Sequence, residues 1–377
     1  MPFPVPPRLP CRSWWIALPL SAALALPSLA SAADAPKASA SAPAAPTGTR
    51  YKADADMQGV LDTLAELGGK PIEGLDAAEA RRQPTPTDAV TAILKKQGKD
   101  TTPTVLVPGV TSIDQTIPGP AGQLPIRIYT PAGAGPFPIV VYFHGGGWVL
   151  ADKNVYDGGA RGLAKEANAV VVSVDYRLAP EAKFPAQHDD ALATYKWAAA
   201  NVAVLNGDVK RLALAGESAG GNLALATAIG ARDQGLPAPM HVLSVYPIAQ
   251  ATNLSTPSYL DSEKAKPLNK PMMGWFADQV FANPADKRDP RIALVDADLK
   301  GLAPVTLISA RIDPLRSDAD LLAAALKKAG VKTEHKVYDG VTHEFFGMAA
   351  VVAKAKQAQA FAGQQLKKAF AASAAGA

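Results

Sequence analysis

The stretch Gly216-Glu217-Ser218-Ala219-Gly220 places a serine midway between two glycines. This is the G-x-S-x-G spacing of a nucleophile carried on a sharp strand-to-helix turn. The apolar run Leu212 to Ala215 precedes it and a helical pattern follows, which is the context such a turn requires. Glycines flank the serine because side chains there would collide with neighbouring backbone. The helix that starts at the serine also aims N–H groups and the positive end of its dipole at the site. A tight turn holding an accidental serine is the bland alternative, and the strand and helix on its two sides argue against it. A second glycine-rich stretch, His144-Gly145-Gly146-Gly147-Trp148, closes the apolar run Ile139 to Phe143. Three bare glycines let backbone amides approach a substrate oxygen closely, as stabilisation of a developing oxyanion demands. Gly146 and Gly147 are the favoured donors, with Gly145 third and the amide of Ala219 as their partner across the site.

A serine alone is a weak nucleophile and needs a base. Only five histidines exist, so elimination is practicable. His144 belongs to the glycine loop, His188 to a helix, and His241 opens a strand. His335 sits among charged neighbours inside the strand pattern Glu334 to Tyr338, which predicts a solvated face. His343 lies beyond that strand, after Asp339-Gly340-Val341-Thr342, at the carboxyl edge where open α/β sheets bind ligands. The acid that orients the base should follow another strand. Val305 to Ala310 leads into Asp313, giving the chain order Ser, Asp, His of the α/β-hydrolases. Asp318 and Asp320 are rivals, but both open the next helix, where an acid is more simply a cap.

These groups have to be carried by a scaffold, and the pattern around them supplies one. Strands are predicted at Thr104–Val107, Pro125–Tyr129, Ile139–Phe143, Ala169–Val174, Arg211–Ala215, His241–Tyr246, Val305–Ala310 and Glu334–Tyr338. Helical spacing falls between them at Gly158–Ala167, Ala186–Ala200 and Ser218–Ala231. The alternation predicts an α/β fold with a mostly parallel sheet covered by helices on both faces. Two regions break the rhythm. Residues 51–100 read as helices, with Met57, Val60, Leu61, Leu64 and Leu67 at helix spacing and Thr87-Asp88 before a second stretch. Residues of about 250–284 form an insertion in the catalytic domain spanning 101–377. Both are placed to cover the ligand-binding edge as a helical cap. Trp148, Met272, Met273, Trp275 and Phe276 are the candidates for lining a substrate pocket, although apolar residues at this spacing are as often cap-to-domain packing.

Composition narrows the class further. Of 377 residues, 19% are charged and 48% belong to the hydrophobic set, which is globular rather than disordered. The net charge of +4 includes Arg8 and Arg12, and basic residues form pairs at most, so no nucleic-acid partner is expected. Arg8 and Arg12, the apolar stretch Trp14 to Leu26 and Ala30-Ser31-Ala32 read as a signal peptide over 1–32 with cleavage after Ala32. Pro19 and Pro27 argue against an uncleaved anchor. An Ala/Pro/Ser-rich linker follows over 33–50, and Ala371 to Ala377 are expected to fray. Cys11 is the only cysteine, so a cleaved chain would hold no thiol and no disulfide. Export to the periplasm or the medium is the expectation.

Taken together, the motifs resemble the hormone-sensitive-lipase family of bacterial esterases. The resemblance rests on His144 to Gly147, Gly216 to Gly220, Tyr176-Arg177-Leu178-Ala179-Pro180-Glu181 with Phe184-Pro185-Ala186, and Asp313-Pro314-Leu315-Arg316, and it covers about Thr87 to Phe370. It implies a triad of Ser218, Asp313 and His343, an oxyanion hole from the glycine loop with Ala219, and no cofactor or metal. It also implies short to medium acyl esters as substrates. Glu344, where a number of relatives have glycine, and Ser317, where an acid is common, are departures. The Tyr176 to Glu181 stretch is read as structural. The expected partner is a small-molecule ester, with no membrane span after signal cleavage, and a homodimer stays open. Amide or peptide cleavage by the same triad, and a non-enzymatic small-molecule receptor, are the competing readings.

Overall fold

The computed structural model describes residues 50–374. The signal segment 1–32 and all of the linker but Arg50 lie outside the described residues. At the other end helix continues to Ala374, past the start of the expected fray.

Eight strands form one sheet in the order β1-β2-β4-β3-β5-β6-β7-β8. They are β1 (Val110–Gly119), β2 (Gly122–Pro131), β3 (Phe137–Phe143), β4 (Val170–Val174), β5 (Gly207–Glu217), β6 (Val242–Val245), β7 (Val305–Ile312) and β8 (Thr333–Thr342). β1 and β2 pair antiparallel and so do β2 and β4, while every pairing from β4 to β8 is parallel. Every residue of β3 and β4 is buried, which accounts for their nearly unbroken apolar sequence: a strand between two helical layers has no wet face. Alternate residues serve opposite layers. Ile139, Val141 and Phe143 pack on one side with Leu212 and Leu214, while Val140 and Tyr142 pack on the other with Ala213 and Ala215.

Eleven α-helical segments surround the sheet among the described residues: α1 (Ala55–Glu66), α2 (Ala77–Ala80), α3 (Pro86–Lys96), α4 (Pro103–Leu106), α5 (Asp157–Ala167), α6 (Ala186–Ala200), α7 (Ala219–Asp233), α8 (Pro257–Asp261), α9 (Lys270–Val280), α10 (Arg316–Lys328) and α11 (Ala353–Ala374). Leucines and alanines of α6, α7 and α10 cover one face, and those of α5 and α11 the other together with α1 and α3. Among the described residues no helix is long and apolar enough to cross a membrane.

Three local expectations change. Thr104–Val107 is a helical turn rather than a strand, because Pro103 suits a first helical position and Val105, 55% exposed, has no sheet to join. The strand β1 just after it was not anticipated. It is an edge strand with five exposed positions, including Ile113, so its sequence lacks clear alternation. The second N-terminal helix starts earlier than Thr87. Thr85 is its N-cap, with Thr85 Oγ1 accepting from the Asp88 N–H and Asp88 accepting from the Thr85 N–H, the reciprocal arrangement of a capping box.

Candidate active site

β5 delivers Ser218. The strand ends at Glu217 and α7 begins at Ala219, so the whole change of direction falls on one residue. Ser218 accordingly adopts φ 58° and ψ −118°, a region that a residue with a Cβ occupies only under restraint from its surroundings. Its N–H is tied to the Val245 carbonyl of the neighbouring strand at 2.8 Å. A Cβ on Gly220 would stand 2.0 Å from the Phe143 carbonyl oxygen, and one on Gly216 would stand 2.1 Å from that of Gly220. The flanking glycines are therefore the condition for α7 to start so close to β3.

β7 and β8 deliver the acid and the base. His343 follows the last residue of β8, which runs on through Asp339–Thr342 where a loop was expected. Its Nε2 lies 2.9 Å from Ser218 Oγ, and its Nδ1 lies 2.7 Å from Asp313 Oδ2. Asp313 is fully buried, and its Oδ1 accepts from the Leu315 N–H at 2.8 Å. With Nδ1–H donating to the carboxylate, the Nε2 lone pair is left to accept from the serine hydroxyl. Burial by itself would depress the His343 pKa, but the Asp313 charge and hydrogen bond, helped by Glu344 and Glu217, outweigh it and raise the value. The other four histidines shift down because burial dominates, His188 and His241 to about 4. Each is engaged structurally: His144 with the Gly145 carbonyl, His188 with Asn222, His241 with Thr306 and His335 with Ser309. His335 is half-buried against β7 rather than on a solvated face.

The glycine loop follows β3. Gly146 and Gly147 both have positive φ, 93° and 60°, and both line the cavity that contains Ser218. A Cβ on Gly147 would meet the Phe276 ring at 2.3 Å, so the bare backbone is what lets α9 close over the loop. Gly145 stands apart from the cavity lining. Its carbonyl accepts from Tyr176 Oη at 3.2 Å, and its Cα faces the Tyr156 hydroxyl. Tyr176 also donates to the His144 carbonyl at 2.9 Å and stacks on the His144 ring at 4.2 Å. The Tyr176 to Glu181 stretch thus holds the loop from behind, and Arg177 anchors that stretch to buried Asp190 of α6.

The cavity, about 360 Å³, is roofed by α1, the segment around α2, and the insertion. Of the five predicted pocket residues, Met272 and Phe276 line it. Trp148, Met273 and Trp275 do not, and are corrected to packing roles in the core. The helix explains the split, since positions 272 and 276 are one turn apart on a single face while 273 and 275 point elsewhere. Trp275 Nε1 donates to the Leu75 carbonyl at 2.9 Å, tying α9 to the N-terminal segment. Leu61 and Leu64, read in the sequence only as part of an apolar stripe, line the cavity as well.

Of the acids near the site, Asp318 departs from its expected role. Asp318 is not a helix cap. It is completely buried, and accepts from the Ala249 N–H at 3.1 Å and from Gln250 Nε2 at 3.1 Å, which pins the root of the insertion. Burial pushes its pKa up to about 7 against those hydrogen bonds. Glu217 accepts from the hydroxyls of Tyr142 and Tyr246, and burial raises it to about 7. The Tyr246 ring lies 4.5 Å from that of His343 and so backs the base. Glu344 sits in the cavity wall beside Ser218 and His343 and accepts from Tyr156 Oη at 3.2 Å. Asp320 pairs with Arg316 on the surface of α10.

Comparison with known proteins agrees with this layout. The sequence profile of a family described as having the alpha/beta hydrolase fold matches residues 140–347. Carboxylesterase NlhH of Mycobacterium tuberculosis is 36% identical over 332 residues, which is 86% of this chain and 98% of that protein. An ethyl acetate hydrolase of Pseudomonas putida is 33% identical over 298 residues, 76% of this chain and 88% of its own. Among solved structures, a hyperthermophilic esterase from the archaeon Pyrobaculum calidifontis superposes with a TM-score of 0.75 at 35% identity, covering 84% of this chain and 98% of that one.

Proposed function

The chain belongs to the hormone-sensitive-lipase-like esterases of the α/β-hydrolase fold, and on that premise we propose that it cleaves short to medium acyl esters through an acyl-enzyme on Ser218. It is a carboxylic ester hydrolase. The observation that carries the assignment of its working groups is the continuous chain of hydrogen bonds Ser218–His343–Asp313 opening into the cavity. His343 takes the hydroxyl proton as Ser218 attacks the ester carbonyl, and Asp313 stabilises the imidazolium that forms. The oxyanion is met by N–H groups of Gly146, Gly147 and Ala219, supported by the two glycines' place in the cavity wall and by the start of α7 at Ala219. His343 then protonates the departing alcohol and activates water to release the acid. Acyl chain length is limited by a cavity of about 360 Å³, with Met272 and Phe276 in its wall.

Ser218→Ala should lower kcat/KM on nitrophenyl acetate and butyrate by about 10⁴-fold or more while leaving the unfolding transition in place. Turnover within tenfold of the parent would remove Ser218 from the mechanism. Parallel assays on matched nitrophenyl esters and nitroanilides separate ester from amide cleavage, with the esters expected to dominate. Export is also proposed, supported by Arg8, Arg12, the apolar stretch Trp14 to Leu26 and Ala30-Ser31-Ala32. N-terminal sequencing of the protein from fractionated cells should then begin at Ala33, and a retained Met1 would contradict it.

A further inference from the structure

The cavity wall contains a carboxylate that the proposed reaction leaves unused. Glu344 follows His343 directly and adopts φ 66°, a left-handed conformation that disfavours any residue with a Cβ and suits glycine. Its side chain lines the cavity together with Ser218 and His343. The hydrogen bond from Tyr156 Oη satisfies one of its oxygens. Among the described residues it forms no ion pair with a lysine or arginine.

The remaining charged groups of the cavity do not neutralise it. Arg81 is committed to the Val149 and Ala179 carbonyls and to Glu181. Lys70 and Lys266 are exposed and can hold their ammonium groups in water. Glu73 adds a second carboxylate to the lining, and its Oε2 is buried without a hydrogen-bond partner while Oε1 accepts from Asn269. Other titratable groups facing Glu344 are Tyr156 at the entry to α5, Glu217 at the end of β5, Asp313 after β7 and His343 itself. The cavity wall therefore presents carboxyl acceptors with no lysine or arginine paired to Glu344 among the described residues, while burial raises the Glu344 pKa against the hydrogen bond from Tyr156.

We propose that Glu344 is a specificity determinant: it selects esters that bring an ammonium or another hydrogen-bond donor beside the scissile bond and disfavours those that bring an anion there. The proposal rests on the esterase reading and adds the charge of the substrate to it. Two unit charges about 6 Å apart at an effective dielectric constant near 20 change a rate ratio by roughly 10²-fold. A tenfold effect therefore leaves room for screening by water in the cavity.

The test compares three butyryl esters of similar length: of choline, of 3,3-dimethylbutanol as its uncharged isostere, and of 4-hydroxybutyrate as the anion. Acid release is followed by pH-stat at pH 8. The parent should prefer choline over hydroxybutyrate in kcat/KM. Glu344→Gln should shrink that preference by about tenfold or more, with the uncharged ester as internal reference. Glu344→Gly, which φ 66° accommodates, makes the same comparison if the glutamine variant does not fold. A choline-to-hydroxybutyrate ratio equal in parent and variants overturns the proposal while leaving the esterase standing. Failure of the parent on all three esters, and on nitrophenyl butyrate, would instead sink the esterase reading on which it rests.

Discussion

The floor of the cavity and its roof are built on different terms. Ser218, His343, Asp313 and the glycine loop sit at the ends of β5, β8, β7 and β3, members of one hydrogen-bonded sheet in which β6 separates β5 from β7. Each has its direction fixed by backbone geometry: a strained φ at Ser218, positive φ at Gly146 and Gly147, a carboxylate held by the Leu315 N–H. The roof comes from two stretches far apart in sequence and is held by apolar packing with a few polar ties, such as Trp275 to Leu75 and Asp318 to Ala249 and Gln250. Chemistry resides where the backbone leaves little freedom, and selectivity where side chains can be exchanged without moving the reacting atoms.

That contrast can be broken by experiment. The largest effect should come from the floor. Asp313→Asn keeps the packing but supports the wrong imidazole tautomer, and should cost about 10³- to 10⁴-fold in kcat/KM near neutral pH. In the parent protein, kcat/KM should fall as the medium is acidified through an apparent pKa above the ordinary 6.5 of histidine, because His343 is raised in the folded state and must be neutral to act as base. An acid limb below that value would contradict the dominance of Asp313 over burial. A change in the roof should act more gently. Met272→Ala should shift the ratio of kcat/KM between octanoyl and acetyl nitrophenyl esters by roughly tenfold, with acetyl turnover reduced far less than in Asp313→Asn. If both variants lost acetyl turnover equally, floor and roof would not be separable.

The smallest effect concerns stability. Asp318 has a folded pKa of about 7 against an unfolded value near 3.9, so the folded state holds its proton more tightly. Its contribution is fully present below about pH 4 and is lost as pH rises through 7. Asp318→Asn cannot ionise, and melting temperatures recorded from pH 5 to 8 should decline less steeply for it than for the parent. Parallel curves would assign the burial of this acid no role in the pH dependence.

What the sequence made legible follows the same division. Ser218, Asp313 and His343 could be read because few residue types perform their chemistry and each follows a strand pattern, in the chain order Ser, Asp, His. Whether Asp318 is a cap could not be read, since its partners Ala249 and Gln250 are brought to it only by the insertion folding back. Met272 and Phe276 could have been separated from Met273 and Trp275 by helical phase alone, but which face met the cavity depended on where α9 docks. Leu61 and Leu64 belong to one stripe with Met57 and Val60, and the stripe passes from core to cavity without any change in residue type. β1 lacked the alternation that would mark it, because an edge strand with its face in water is under little hydrophobic constraint.

The central claim is that Ser218 is a nucleophile made reactive by His343. Peptide mapping after brief exposure to a fluorophosphonate tests it directly, because the adduct forms only on an activated hydroxyl. A single modified peptide carrying Ser218 in the parent, and its loss in a folded His343→Ala variant, is the predicted result. An unmodified Ser218 in active parent protein, or equal labelling in both, would contradict it.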